Sequence, residues 1–198
     1  MSDQPGVASD VEDLAQSVAD QVESFLLAVR EIASSGDPGR AVPLLLLEVS
    51  QLLLAGARLG VQIDFVPSEK YEPDAGPDPD LDRLREELAK LLDGFDDYTE
   101  VFDPYVDPPD LVPSRVSDDV TAIAGRVAHG LQHFRAGRVD EALWWWQFSY
   151  VSSWGAEASG VLRALQSVVS HDRLDTDVDR TAEMERVAIA EALAQQPD

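Results

Sequence analysis

The stretch Asp140-Glu-Ala-Leu-Trp-Trp-Trp-Gln-Phe-Ser-Tyr-Val-Ser-Ser-Trp154-Gly155 decides the fold. Together with residues 156–171, it predicts a helix from near Asp140 to about His171. The helix is apolar almost all round, with Leu143, Trp144, Trp145, Trp146, Phe148, Tyr150, Val151, Trp154, Val161, Leu162, Leu165 and Val168. A helix without a polar face belongs at the centre of a bundle. Ser149, Ser153, Ala156 and Gly160 form a ridge of small residues on it, against which another helix can pack closely.

Upstream, Val120, Ile123, Val127, Leu131 and Phe134 recur at helical spacing and predict a second C-terminal helix. Ser117 is its expected N-cap, with Asp118 and Asp119 at the positive end of the helix dipole, and Gly137 ends it. At the N-terminus, Ser9-x-x-Glu12 reads as a capping box before the stripe Val11, Leu14, Val18, Val22, Phe25, Val29 and Ile32. Asp37-Pro38 then opens a helix to about Gly60 whose polar residues, Glu48, Gln51 and Arg58, share one narrow face. A short link makes these two an antiparallel pair.

Residues 61–119 differ in character. They hold 18 Asp and Glu against 5 Lys and Arg, and eight of the 12 prolines. One helix is predicted inside this acidic segment, opened by Asp78-Pro79, carrying Leu81, Leu84, Leu88, Leu91 and Phe95 on one face, with Gly94 near its end. The run from Phe95 to Tyr105 reads as a turn of helix followed by an extended arm docked through its aromatics.

The composition narrows function. The chain has 198 residues, no cysteine and a formal net charge of −23. That length suits one domain burying roughly 70% of its unfolded surface. Without cysteine there are no disulfides, thiolate metal sites or Cys nucleophiles. The charge repels nucleic acid and anionic membranes. The first ten residues are polar, and the apolar stretch 41–61 is interrupted by Pro43, Glu48 and Arg58, so neither a signal peptide nor a membrane span is expected, and the cytoplasm is the expected compartment.

Catalytic signatures are missing. No phosphate loop, Gly-x-Ser-x-Gly or Gly-x-Gly-x-x-Gly occurs. The paired carboxylates Glu86-Glu87 and Asp96-Asp97 sit in a Pro-rich, solvated stretch, and no calcium loop closes with Glu. His129 and His133 have the i, i+4 spacing of a zinc pair, but Gly130 stands where a zincin has Glu, and Arg126 lies one turn before. They read as solvated residues on the outer helix face, and no metal, cofactor or catalytic residue is assigned.

Two resemblances add to this. Gly130, Phe134, Gly137, Ala142 and Trp146 fall where a tetratricopeptide hairpin places its Gly, aromatic, turn Gly, Ala and second aromatic. Only one such unit is present, so it stands for a helix hairpin and not for a solenoid. More of the chain, all but the first ten residues and the acidic tail, resembles the bacterial family called domain of unknown function 5063. The residues are Phe102-Asp-Pro-Tyr105, Ser117-x-Asp119, Ala142-x-Trp144-x-Trp146-x-Phe148 and Trp154-Gly155. Some members have His where this chain has Ser153. The resemblance implies an all-helical cytosolic protein and brings no functional residue with it.

The expectation is therefore an all-α bundle of five to six helices with a long Trp-rich central C-terminal helix. Residues 1–8 are expected to be disordered, 9–174 to form the single domain, with 61–116 as its acidic Pro-rich middle, and 175–198 to form an acidic tail or peripheral helix. The leading function is an acidic, non-enzymatic interaction module that meets a basic protein surface through Asp96, Asp97, Asp103 and Asp107. The alternative is a small-molecule binder or enzyme with a cleft at Trp144, Gln147, Tyr150, Trp154, Glu157 and Arg163, which Glu48 and Arg58 would face across the bundle. Mimicry of nucleic acid by spaced carboxylates is a third, weaker reading.

Overall fold

Apolar residues three and four apart build α1 (Pro5–Ser35) and α2 (Pro38–Gly60), which pack as a hairpin in a computed structural model describing residues 5–194. Helix α1 begins at Pro5, so Ser9 and Glu12 lie within it and the capping box does not start it; residues 1–4 of the expected disordered terminus lie outside the described residues. Gly36, at φ +68°, makes the turn. Asp37 then caps α2, its carboxylate accepting the Arg40 N–H at 3.3 Å. Helix α2 buries Ala41, Val42, Leu45, Val49, Leu52 and Leu59 against α1 and α6. Its opposite face exposes Leu44, Leu47 and Leu54. Among the described residues α2 is the one helix long and apolar enough, by length and composition, to cross a membrane.

Residues 61–81 form a strap with no helix or strand. Helix α3 (Asp82–Leu91) starts after it, later than Asp78-Pro79 suggested, and buries Leu84, Leu88 and Leu91. The expected docked arm is instead an antiparallel hairpin, β1 (Asp97–Asp103) and β2 (Asp110–Arg115). Its register pairs Tyr98 with Ser114, Glu100 with Val112 and Val101 with Leu111. Tyr98 is half-buried, whereas Tyr105 at the tip is 95% exposed.

The C-terminal half is α4 (Val116–Arg135), α5 (Val139–Ser149), a π-helical segment Tyr150–Trp154 and α6 (Gly155–Ala194). Gly137, at φ +76°, ends α4 as expected, and Arg138 N–H closes the turn on the His133 carbonyl at 3.0 Å. The predicted Trp helix is thus unbroken but not uniform, and it continues to Ala194, so residues 175–194 extend α6. In the π segment the Gly155 N–H reaches back five residues to the Tyr150 carbonyl. A Cβ at Gly155 would stand 2.6 Å from that carbonyl oxygen, so the Trp154-Gly155 pair has a backbone reason.

Trp146 and Trp154 are fully buried and form the spine of the core. The Trp146 indole N–H donates to the Val127 carbonyl at 3.0 Å, and its ring lies directly on Gly130. Tyr150 and Trp154 lie in the same way on Gly56 of α2. The ridge at Gly160 admits not a helix but the hairpin, for a Cβ there would stand 2.9 Å from the Tyr98 hydroxyl. Two glycines of α4 give a matched test. Gly130→Ala should cost about 1–3 kcal/mol, because its Cβ would overlap a fully buried indole. Gly125→Ala should be neutral or stabilising by up to about 1 kcal/mol, since its Cβ meets Leu81 at an ordinary 3.6 Å. Chemical denaturation of both variants checks this; equal losses would refute the packing role of Gly130.

Candidate functional site

The hairpin is fastened to the start of α4 by one buried carboxylate. Asp96 accepts the Ser117 N–H and the Ser117 hydroxyl, each at 2.8 Å, and pairs with Arg115 at 2.8 Å. Ser117 is therefore not the N-cap of α4; an aspartate from 21 residues upstream does that work, at the positive end of the helix dipole. Being 5% exposed, Asp96 is unavailable to a partner.

The two faces of the hairpin differ. Inward, Tyr98 donates its hydroxyl to Asp119 at 2.8 Å, and Glu100 lies against Gly160. Glu157 of α6 binds Arg126 of α4 at 2.6 Å beside them. Three carboxylates thus lie close together, and Arg126 pairs with one of them, Glu157. Burial pushes the Glu100 carboxyl up, and the charges of Asp119 and Glu157 push it further. Burial also raises Asp119, with the Tyr98 hydrogen bond opposing and Glu157, Asp118 and Asp96 adding to the rise.

Outward, the Val101–Leu111 cross-strand pair is exposed, continuous with Tyr105 and Val106 at the tip. Asp97, Asp107 and Asp110 are exposed around it. Asp103 accepts the Tyr105 N–H at 2.8 Å and shapes the tip. Residues 93–119 hold nine carboxylates and one cation, Arg115, which is paired with Asp96 and lies 3.5 Å from Asp97.

The strap lies across α4 and α5, and side chains of those helices satisfy its backbone. Gln147 accepts the Phe65 N–H at 2.8 Å and donates to the Leu59 carbonyl at 2.9 Å. Glu141 accepts the Ser68 and Glu69 N–H groups at 3.1 and 3.3 Å. Arg138 and Gln132 donate to the Asp74 and Pro77 carbonyls at 2.9 and 3.0 Å. Glu72 reaches both imidazoles of α4, with its Oε1 at 2.6 Å from His129 Nε2 and 3.1 Å from His133 Nε2. The histidines are thus not solvated: His133 is fully buried, and the Trp145 ring lies 4.3 Å from that of His129. Burial raises the Glu72 carboxyl, but the hydrogen bonds and charges of the two histidines outweigh it and hold the group below the usual carboxylate range.

The residues expected to line a ligand cleft engage different neighbours. Trp144 stacks on Phe148 with centroids 5.4 Å apart, Gln147 holds the strap, and Tyr150 and Trp154 cover Gly56. Glu157 is paired with Arg126 instead of facing Arg163, which is exposed. Glu48 keeps one buried carboxylate oxygen without a partner and does not meet Glu157, and Arg58 is exposed. Sequence reasoning misses Glu72, Tyr98, Glu100 and Asp119 as members of a site. Their contacts span 21 residues or more, and no local spacing announces them.

The family described as a domain of unknown function (DUF5063) matches residues 9–171 of the chain. The crystal structure of protein BF1032 from Bacteroides fragilis is similar in fold, with a TM-score of 0.61 at 18% sequence identity over 76% of this chain and 89% of that one. No curated protein matches the chain in sequence.

The inward cluster has a consequence for stability. A carboxylate raised in the folded state holds its proton to higher pH than in the unfolded chain, so it opposes folding at neutral pH and ceases to do so as pH falls. Glu100→Gln should therefore raise the melting temperature at pH 7.5, and the gain should vanish below about pH 4. Melting curves across that range check this; a gain independent of pH would contradict the electrostatic reading.

Proposed function

This chain belongs to the DUF5063 family, and we propose that it is a non-enzymatic interaction module of the cytosol that docks on a basic protein surface through its hairpin. One observation carries the reading. The outward face of β1–β2 joins exposed apolar side chains, Val101, Leu111 and a 95% exposed Tyr105, to a rim of Asp97, Asp107 and Asp110. An aromatic anchor gives binding energy once desolvated, and a rim of one sign steers the encounter and sets specificity. The charge favours lysine- or arginine-rich partners. Of the four aspartates assigned to such a partner, Asp97 and Asp107 are exposed, Asp103 also shapes the tip, and Asp96 is withdrawn into the α4 cap.

A photo-crosslinking residue at position 105, introduced in cells that make the protein, tests this. The expected result is a discrete adduct with a basic protein when a lysate of those cells is irradiated at low salt, and none when it is irradiated at about 0.5 M salt, where screening shortens to a few ångströms. The Asp107→Asn/Asp110→Asn double variant should lose the same adduct. Adducts that ignore salt and both substitutions, or that form equally from exposed Leu27 of α1, would overturn the proposal.

A further inference from the structure

We propose that Glu72, His129 and His133 form a binding site for one divalent transition-metal ion, zinc by its donor set, that clasps the strap to α4. The three side chains bring ligand atoms within 4.8 Å of one another. Two come from one helix face at i, i+4, and the third crosses from the strap, 57 residues away in sequence from His129. Two imidazoles and one carboxylate suit zinc and its first-row neighbours, whereas calcium and magnesium prefer oxygen alone.

The spacing is close to what a metal needs. Ligand atoms about 2.0–2.1 Å from a tetrahedral ion stand about 3.3–3.4 Å apart. The Glu72–His133 separation of 3.1 Å is near that value. The Glu72–His129 separation of 2.6 Å reaches it with a shift under about 1 Å, which the exposed glutamate can make.

The hydrogen-bond inventory points the same way. His129 meets Glu72 through Nε2 and Asp78 through Nδ1, the latter at 3.3 Å, while His133 Nε2 meets the same Glu72 oxygen. That makes three acceptor contacts, one more than the two N–H groups of a neutral pair of rings, so the cluster calls for a further positive charge, a proton or a metal ion. With an ion on the Nε2 atoms, Nδ1–H of His129 donates to Asp78, the orienting carboxylate found behind metal-bound imidazoles. Fully buried His133 has no hydrogen-bond partner at Nδ1. Arg126 does not oppose the ion, because Glu157 holds its guanidinium at 2.6 Å. A shallow cleft lined by Asp78, Pro79, Ala122, Gly125, Arg126 and Trp145 reaches His129 from solvent.

The test is calorimetric titration of the full chelator-treated chain with zinc chloride, with calcium and magnesium as controls, beside cobalt(II) absorption spectra. Zinc should bind one per chain with micromolar or tighter affinity, cobalt should show the intense visible band of a tetrahedral site, and the control ions should not compete. Glu72→Gln and His129→Gln, which spare the buried His133, should each weaken zinc by at least about a hundredfold and remove the cobalt band. Asp78→Asn should weaken zinc by about tenfold. Zinc should raise the melting temperature of the wild-type chain and not of Glu72→Gln. Wild-type zinc affinity in both folded variants, control ions that compete equally, or no binding by the wild-type chain at 100-fold excess over protein would overturn the site. Circular dichroism confirms that each variant is folded.

Discussion

A peptide chain laid over a bundle without helix or strand must find partners for its N–H and C=O groups elsewhere, and the strap at residues 61–81 depends on that constraint. Helices have no spare backbone donors in their interiors, so the partners have to be side chains. Gln147, Glu141, Arg138 and Gln132 supply them, while Asp140 and the two histidines hold the Ser68 and Glu72 side chains. Polar residues beside the tryptophans are thus not solvated remnants on a hydrophobic helix. They are the side on which that helix holds its connecting segment. The strap in turn delivers Glu72 to His129 and His133, so the same constraint creates the cluster with the most distinctive chemistry in the molecule.

The other side of the Trp-rich rod is governed by volume. Two indoles and a phenol are accommodated because Gly130 and Gly56 lack side chains where the rings lie. The π segment then shifts the helical phase so that Tyr150 and Trp154, four residues apart, pack together with centroids 4.8 Å apart and cover α2. The Ser149, Ser152 and Ser153 hydroxyls each donate to the carbonyl four residues back, which satisfies them inside an apolar helix. With the rod fixed by glycine on one side and by the strap on another, the hairpin is left at the periphery, stapled through Asp96 and presenting a face that none of the described residues covers.

The helices are legible in the sequence because burial on one face imposes a period near 3.6, and Val22, Phe25 and Val29, or Val120, Ile123 and Val127, carry it strongly. Gly137 and Asp37-Pro38 are legible for a related reason: a left-handed turn and an N-cap each demand particular residues. The hairpin is not. Pro104, Pro108, Pro109 and Pro113 argue against a strand, and its outward apolar residues break the usual alternation. The π segment has no signature beyond Gly155. The pairing of Glu72 with His133 spans 61 residues, and only the path of the strap reveals it. Gln147 is recognisable as an unusual polar residue on an apolar helix, yet its purpose, gripping another segment's backbone, is a tertiary fact.

Amide hydrogen exchange at Phe65, Ser68 and Glu69, whose N–H groups are held by Gln147 and Glu141, is the most direct test of the clamped strap. Exchange slowed well below free-peptide rates is predicted at these three amides, in a segment lacking helix and strand. Exchange at all three as fast as in an unstructured peptide would show that the strap is not clamped, and would contradict the mechanism at its root.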